Sequence, residues 1–327
     1  FTKIYANGNG DCTTPAANAD WSGEESLDIE YAHVFAPNAA IVLVEACSSS
    51  GTDLYYAEQV AFEYIVKNYP GVGGQVTNSW GGAEPSGEVS VDPDFADYNY
   101  TCCSFNTHIT AFASAGDCGY LNMVDNGPCY DPGTNNYPSV SPWVVSAGGT
   151  SILRNASNDE FASESCWSGS GGGPSAYESW ANSWIGGNMG PWAAYQYDIF
   201  GNGQFGSGYR RTPDLAFDSD PASGVWFYSQ YGAGGWAVTG GTSVASPSLA
   251  GIVNRASNRL GTVHLQALTG SNFVAEENNL LYSQLAAANM YKANFYDVTT
   301  GSNGGPGAQV SYDMCTGVGS PRGLDGK

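Results

Sequence analysis

Basic residues are scarce in this chain of 327 residues: 10 Lys plus Arg stand against 31 Asp plus Glu, a formal charge of −21 at pH 7. A surface so short of cations repels nucleic acid and anionic membranes, and neither is expected as a partner. Histidine is rarer still, with 3 copies, and the 8 cysteines form no C-x-x-C pair. That combination leaves zinc without its usual ligands. No apolar run reaches membrane-spanning length. No internal repeat of solenoid period is visible. The chain starts at Phe1 with neither an initiator Met nor a signal-like segment. It reads as a mature form from which a targeting segment has been removed.

The shortage of bases has a consequence in acid. With every carboxylate protonated, the 10 Lys and Arg and the 3 His leave a side-chain charge of only +13. Acid unfolding driven by positive self-repulsion is therefore limited. The even cysteine count suits disulfides and an oxidising compartment. Cys118 and Cys129 would close a short loop, and N-x-S/T triplets stand at Asn99 and Asn155. The expectation is a secreted, extracellular protein of an acidic environment.

Along the chain, "GEESLDIEYAHVFAP" (23–37) reads as a helix stopped by Pro37 and "AAIVLVEA" (39–46) as a buried strand. "LYYAEQVAFEYIVKNYPG" (54–71) has helical spacing, and "GQVTNSWGG" (74–82) is a strand entering a glycine turn. "HITAFASAGDCG" (108–119) and "PWVVSAGGTS" (142–151) are further strands breaking into loops. The stretch 167–207, rich in Gly, Ser, Trp and Asn, reads as long surface loops and not as a linker, because its Trp residues need burial. Alternating strands and helices predict an α/β fold, one domain with a predominantly parallel central sheet and helices on both faces.

Three places carry chemistry. Glu24 and Asp28 are four residues apart on the first helix, so they share a face about 5–6 Å apart at Cβ. If they are partly buried they cannot both ionise easily, and one keeps a proton; an ordinary acidic first turn is the plainer reading. Asp117 lies between glycines just past a strand end, where open α/β sheets form their working crevice, or else it caps its own turn. Ser243 in "GGTSVASP" follows two glycines and precedes the helix-like "VASPSLAGIVNRASNRL", with Pro247 suited to the first turn. There it is either a nucleophile in a positive dipole field or a plain N-cap.

Taken together, "GEESLDIEYAHVFAPNAAIVLVEA", "TNSWGG", "SAGDCG", "GGTSVASP" and the C-terminal "FYDVTTGSNG" and "YDMCTGVGSP" resemble the sedolisin family of serine-carboxyl peptidases, in the family order and over nearly the whole chain. The resemblance implies a subtilisin-like fold and one peptidase catalytic domain over 1–327. It implies Ser243 as nucleophile, Glu24 as its general base, Asp28 as the acid that orients Glu24, and a protonated Asp117 in the oxyanion hole. It also implies that Ser79, Trp80 and Gly81 form the strand edge along which a peptide lies. One structural Ca2+ would be held in the region of about 294–320 by Asp297, Val298, Gln309, Ser311 and Asp313. The family has glycines where this chain has Gln309 and Ser311, which backbone carbonyl ligands tolerate. Implied partners are a peptide or protein substrate and the protein's own propeptide before maturation, with the mature protein a monomer.

Competing readings are distinguishable. A subtilisin-type Ser-His-Asp site would need His33, His108 or His264 as base, and none stands in an H-G-T-x setting. A secreted acidic glycoside hydrolase could use two carboxylates, but it leaves Ser243 and Asp117 without a task. A non-catalytic binding module explains none of the four.

Overall fold

The structure is a computed structural model. It describes the chain apart from residues 7–13, 97–107, 124–128, 130–131, 180–183, 186–187, 190–194, 197–207, 261–275, 286 and 326–327. The first half contains β1 (Thr2–Ala6), α1 (Ala19–Phe35), β2 (Val42–Ala46), α2 (Gly51–Asn68), β3 (Gly74–Asn78), β4 (Gly82–Ala83), β5 (Ile109–Ser114), β6 (Asn136–Tyr137) and β7 (Val144–Arg154). Then come β8 (Phe161–Cys166), β9 (Gly173–Ser179), the short β10 (Trp184–Ile185) and β11 (Asn188–Met189), β12 (Tyr209–Thr212), β13 (Leu215–Asp218), β14 (Val225–Ser229) and β15 (Gly235–Thr239). The chain closes with α3 (Thr242–Leu260), α4 (Glu276–Leu285), α5 (Ala288–Asn294), β16 (Phe295–Tyr296) and β17 (Ser320–Pro321).

Caps set the helix bounds. The α1 helix begins four residues before the expected start because the Asn18 side chain accepts the Trp21 N–H at 3.1 Å. It ends at Phe35, since Ala36 precedes a proline and is held out of helical conformation. In the same way Ser50 caps α2 by accepting the Asp53 N–H at 3.3 Å, and Tyr69, before Pro70, ends it.

The central sheet has the order β13-β7-β5-β3, all parallel, with β8 antiparallel on β7. Every residue of β5 is buried, as are the first seven of β7, which is what a sheet covered on both faces requires. Helix α3 packs across β3, β5, β7 and β13 and against α1. Its Leu249 and Val253 join Phe112, Val145 and Leu215 in the main core. The β1–β2 pair, itself parallel, forms a separate two-stranded unit among the described residues.

The expectation of surface loops over 167–207 needs correction for its described part. Trp167 is buried, as expected of the tryptophans there, but β9 pairs antiparallel with β12 where a loop was expected. The glycines there mark tight packing and not exposure: a Cβ on Gly171 would collide with the carbonyl of Ala115. Beneath this layer Arg210 is fully buried, donating to both Asp214 oxygens (3.0 and 2.6 Å) and to the carbonyls of Val140 and Val144 (both 2.9 Å). Disulfides join Cys118 to Cys129, as the short loop suggests, and Cys166 to Cys315, 149 residues apart. Among the described residues no helix is long and apolar enough to cross a membrane.

Candidate active site

The turn before α3 is built from two close approaches. A Cβ on Gly240 would stand 2.5 Å from the Ser219 carbonyl oxygen. Gly241 has φ +97°, and a Cβ there would lie 2.7 Å from Asp117 Oδ2. Only glycine fits at either place. The helix then starts at Thr242, so Ser243 is its second residue and not its N-cap. Pro247 sits one turn deeper than expected, inside the helix. Its missing N–H would have bonded the Ser243 carbonyl, four residues back. That carbonyl instead lies 3.3 Å from the Ser79 hydroxyl.

Helix α1 brings Glu24 and Asp28 to the same place, one turn apart, where it crosses α3. The turn between β14 and β15 steadies it: a Cβ on Gly232 would lie 2.5 Å from the Gly23 nitrogen. The hydroxyls of Ser243 and Ser79 lie close enough to Glu24 to favour its ionised form. Ser79 donates most closely to Asp28 Oδ1, at 2.6 Å. Burial pushes Glu24 up to about 7; the Ser243 hydroxyl opposes this, and the charge of Asp117 adds to it. Asp28 is raised well above the ordinary carboxyl range, by burial first and then by the charge of Glu24.

Asp117 closes the site from the end of β5. Its Oδ1 accepts from the Thr242 N–H (2.7 Å) and the Thr242 hydroxyl (2.9 Å), leaving Oδ2 beside Gly241. Burial raises its pKa and the two Thr242 hydrogen bonds lower it, with burial the larger. Glu24, Asp28, Asp117 and Ser243 thus come from three distant segments to one end of the sheet. Such a set can pass a hydroxyl proton to one carboxylate while a second stays neutral.

The two described histidines, His33 and His108, stand elsewhere. His33 is exposed in the last turn of α1, nine residues past Glu24, about 14 Å along the axis at 1.5 Å per residue. His108 is buried at the N-terminal end of β5, about 20 Å along that six-residue strand from the end leading to Asp117. His264 lies outside the described residues.

Ser79, Trp80 and Gly81 link β3 to β4, which pairs antiparallel with β6. The Ser79 side chain is spent on Asp28, and the Trp80 ring packs with Tyr55 and Phe95, centroids 5.9 and 6.5 Å away. What this segment offers outward is backbone, most openly at the exposed Gly81. Sequence reasoning missed two members of the site, the Ser79 hydroxyl on Asp28 and Thr242 on Asp117. The Thr directly before Ser243 was the only local signal for the second.

The C-terminal acids also meet. Asp297 Oδ1 accepts from the Tyr291 hydroxyl and the Ser311 N–H, both at 3.0 Å. Asp313 accepts the N–H groups of Gln309 (3.1 Å), Cys315 (2.9 Å) and Thr316 (2.8 Å). The 309–313 loop therefore spans both carboxylates, with the buried Val298 next to one of them in sequence. Burial pushes Asp313 up to about 6, and among the described residues no ion pair reaches either acid. No group of three or more His, Cys, Asp or Glu is placed to hold a metal ion among the described residues, so an ion here relies on two carboxylates and carbonyls. An all-oxygen set of uncompensated negative charge fits a hard cation.

No family model matches the chain. It is 30% identical over 325 residues to kumamolisin of Bacillus sp. (strain MN-32), covering 92% of this chain and 50% of that protein. It is 30% identical over 206 residues to tripeptidyl-peptidase sed4 of Aspergillus fumigatus, covering 60% of this chain and 30% of that one. The chain thus spans half the length of the first relative and less of the second. Among solved structures, its fold matches the Pseudomonas sedolisin, a serine-carboxyl proteinase in complex with pseudo-iodotyrostatin. That match has a TM-score of 0.67 at 22% identity, covering 98% of this chain and 89% of that one.

Proposed function

We propose that this chain, a relative of the sedolisins in sequence and in fold, hydrolyses peptide bonds through an acyl-enzyme on Ser243. The observation that carries the reading is the Ser243 hydroxyl set against a carboxyl that burial holds near 7, with no histidine at that end of the sheet among the described residues. Ser243 Oγ attacks the peptide carbonyl carbon as its proton passes to ionised Glu24. Asp117, protonated at Oδ2, donates to the oxyanion that forms. Glu24 then returns the proton to the departing amine. A water molecule repeats the sequence on the acyl-enzyme: its proton goes to Glu24, its oxygen to the carbonyl, and Ser243 leaves with the proton restored. Asp28 keeps its own proton and holds Glu24 in place, itself fixed by Ser79.

The rate follows the product of ionised Glu24 and protonated Asp117, which is greatest between the two pKa values. With Glu24 at about 7, only about one molecule in 10³ carries it ionised at pH 4. The substrate is a peptide or protein, its backbone laid against the 79–81 segment as an added strand. Asp297, Asp313 and the carbonyls of Val298, Gln309 and Ser311 would hold one Ca2+. When bound, the ion supplies positive charge that offsets the two acids. Secretion into an acidic medium, a propeptide before maturation and a monomeric mature form complete the reading. The acid medium is supported by buried carboxyls that hold protons best at low pH.

The test is proteolysis of peptides with free and blocked N-termini across pH 2–8, for the parent and for Ser243→Ala. Cleavage should vanish in the variant. Equal cleavage by both proteins removes Ser243 from the mechanism.

A further inference from the structure

Just past the 79–81 segment, four acids that the mechanism does not use are buried together. Glu84 follows β4, Glu88 and Asp92 begin two successive 3-10 turns (Glu88–Ser90 and Asp92–Phe95), and Glu178 lies in β9. All four are between 0 and 6% exposed. The groups that face Glu88 are Glu84, Asp92 and Glu178, together with Tyr55 of α2 and Tyr137 of β6. Among the described residues the cation that reaches the group is Arg210 of β12, which acts on Asp92 but is already bonded to both oxygens of Asp214. The four acids are not placed to share a metal ion. Both carboxyl oxygens of Glu88 are buried without a hydrogen-bond partner. Ionised, this side chain would have negative neighbours and no donor. Such a carboxyl is tolerated only as the neutral acid, which can donate to a neighbouring carboxylate.

The stretch that carries three of these acids leans on itself for its backbone. The N–H groups of Glu88, Ser90, Val91, Asp94 and Ala96 bond to carbonyls within 85–93. Its ties to the rest of the fold include the Glu84 N–H on the Asn135 carbonyl (3.2 Å), the Ala176 N–H on Glu84 Oε2 (2.9 Å) and the Tyr137 hydroxyl on Asp92 (3.2 Å). Phe95 adds an apolar anchor between Tyr55 and Tyr137, centroids 6.2 and 5.8 Å away. The same ring supports Trp80 of the 79–81 segment.

We propose that these four carboxyls are an acid latch: protonated, they hold residues 84–96 against β6 and β9, and ionised, they release that stretch and with it the support of the 79–81 edge. Burial, and then the charges of Glu84, Glu178 and Asp92, push Glu88 from 4.5 up to about 10. Burial likewise raises Glu84 and Asp92. The closed stretch therefore keeps a proton that the opened stretch gives up. Opening is least favoured below pH 4.5 and rises about tenfold per pH unit for each proton released, up to about pH 10 for Glu88. Its effect on substrate rests on the peptidase reading above; the opening itself does not.

Native-state hydrogen exchange at pH 4.5 and 7.5, corrected for the intrinsic pH dependence of amide exchange, tests the latch. The opening constant of 84–96 should rise by at least about 10³-fold between the two values, at amides that open without unfolding of β5. In Glu88→Gln the rise should be about 10³-fold smaller, because one titrating group is gone. A pH-independent opening constant in the parent overturns the proposal, as does opening of 84–96 only together with β5. So does an unchanged rise in a folded Glu88→Gln protein. Glu84→Gln, which can still accept the Ala176 N–H, should shift the rise in the same direction, and an unchanged rise there also counts against the latch. Steady-state hydrolysis of a peptide reads the link to substrate separately. KM should climb from pH 5 to 8 in the parent and climb less in Glu88→Gln, whereas equal KM profiles overturn the link to the 79–81 edge. In a chain that cleaves no peptide, the exchange result alone still decides whether the latch exists.

Discussion

Replacing Glu58 by Gln tests how far buried acids set the pH range of this fold. Glu58 lies on α2, is 3% exposed, and accepts a hydrogen bond from the Asn78 side chain, next to Ser79. Its Oε1 is buried without a partner. Burial, the dominant cause, pushes its pKa from 4.5 to about 8. Between those values the native chain holds a proton that the unfolded chain has released. Stability is therefore full below pH 4.5 and falls as pH rises, by up to about 1.4 kcal/mol per unit, levelling above about 8. From pH 4.5 to 7.5 the loss amounts to about 4 kcal/mol at this one side chain. Gln resembles the protonated acid in shape and still accepts from Asn78, but it does not titrate. Urea unfolding followed by tryptophan fluorescence should find the variant within about 1 kcal/mol of the parent at pH 4.5. At pH 7.5 it should be more stable by about 4 kcal/mol. A difference that is the same at both pH values would refute the reasoning.

Other outcomes follow from the same structure. Arg210→Leu strands the fully buried Asp214 without its partner and should cost about 3–5 kcal/mol in urea unfolding, whereas a loss under 1 kcal/mol would mean the pair is not what holds β12 to the core. Asp117→Asn should lower kcat about 10²–10³-fold at the parent's optimum. Its pH–rate profile should lose the alkaline limb and rise until Glu24 is ionised, near 7; an unchanged profile would take Asp117 out of the oxyanion site. Removing calcium with a chelator should lower the melting temperature by roughly 4 °C if the ion is normally present at about 100 times its Kd. Asp297→Ala should abolish that difference, and a melting temperature indifferent to chelator would remove the ion from the account.

Much of the site was legible because its parts sit on short, regular pieces of chain. The i, i+4 spacing of Glu24 and Asp28 fixes their shared face once the helix is accepted. The glycines around Asp117 and before Ser243 announce tight turns at strand and helix ends. What was not legible depends on contacts between segments far apart in sequence. Ser79 reaches Asp28 across 51 residues and Cys166 meets Cys315 across 149, and no local pattern encodes either. The Gly-Ser-rich 169–173 run was misread because glycine serves close packing as readily as it serves exposed loops. Helix starts shifted by three or four residues because Asn18 and Ser50, the real caps, lie outside the hydrophobic pattern. The break between β2 and β3 is invisible in sequence, since each strand reads correctly on its own.

The central claim is that a carboxylate, Glu24, takes the proton from Ser243. Single-turnover hydrolysis of a blocked peptide ester by Glu24→Gln, with the acyl group on Ser243 followed by mass spectrometry from pH 3 to 9, tests it most directly. Acylation should fall by about 10²–10⁴-fold near pH 7, by progressively less at lower pH where the parental Glu24 is itself mostly protonated, and lose its rise toward pH 7. A variant that acylates Ser243 at the parental rate, with the parental pH dependence, would show that another group is the base.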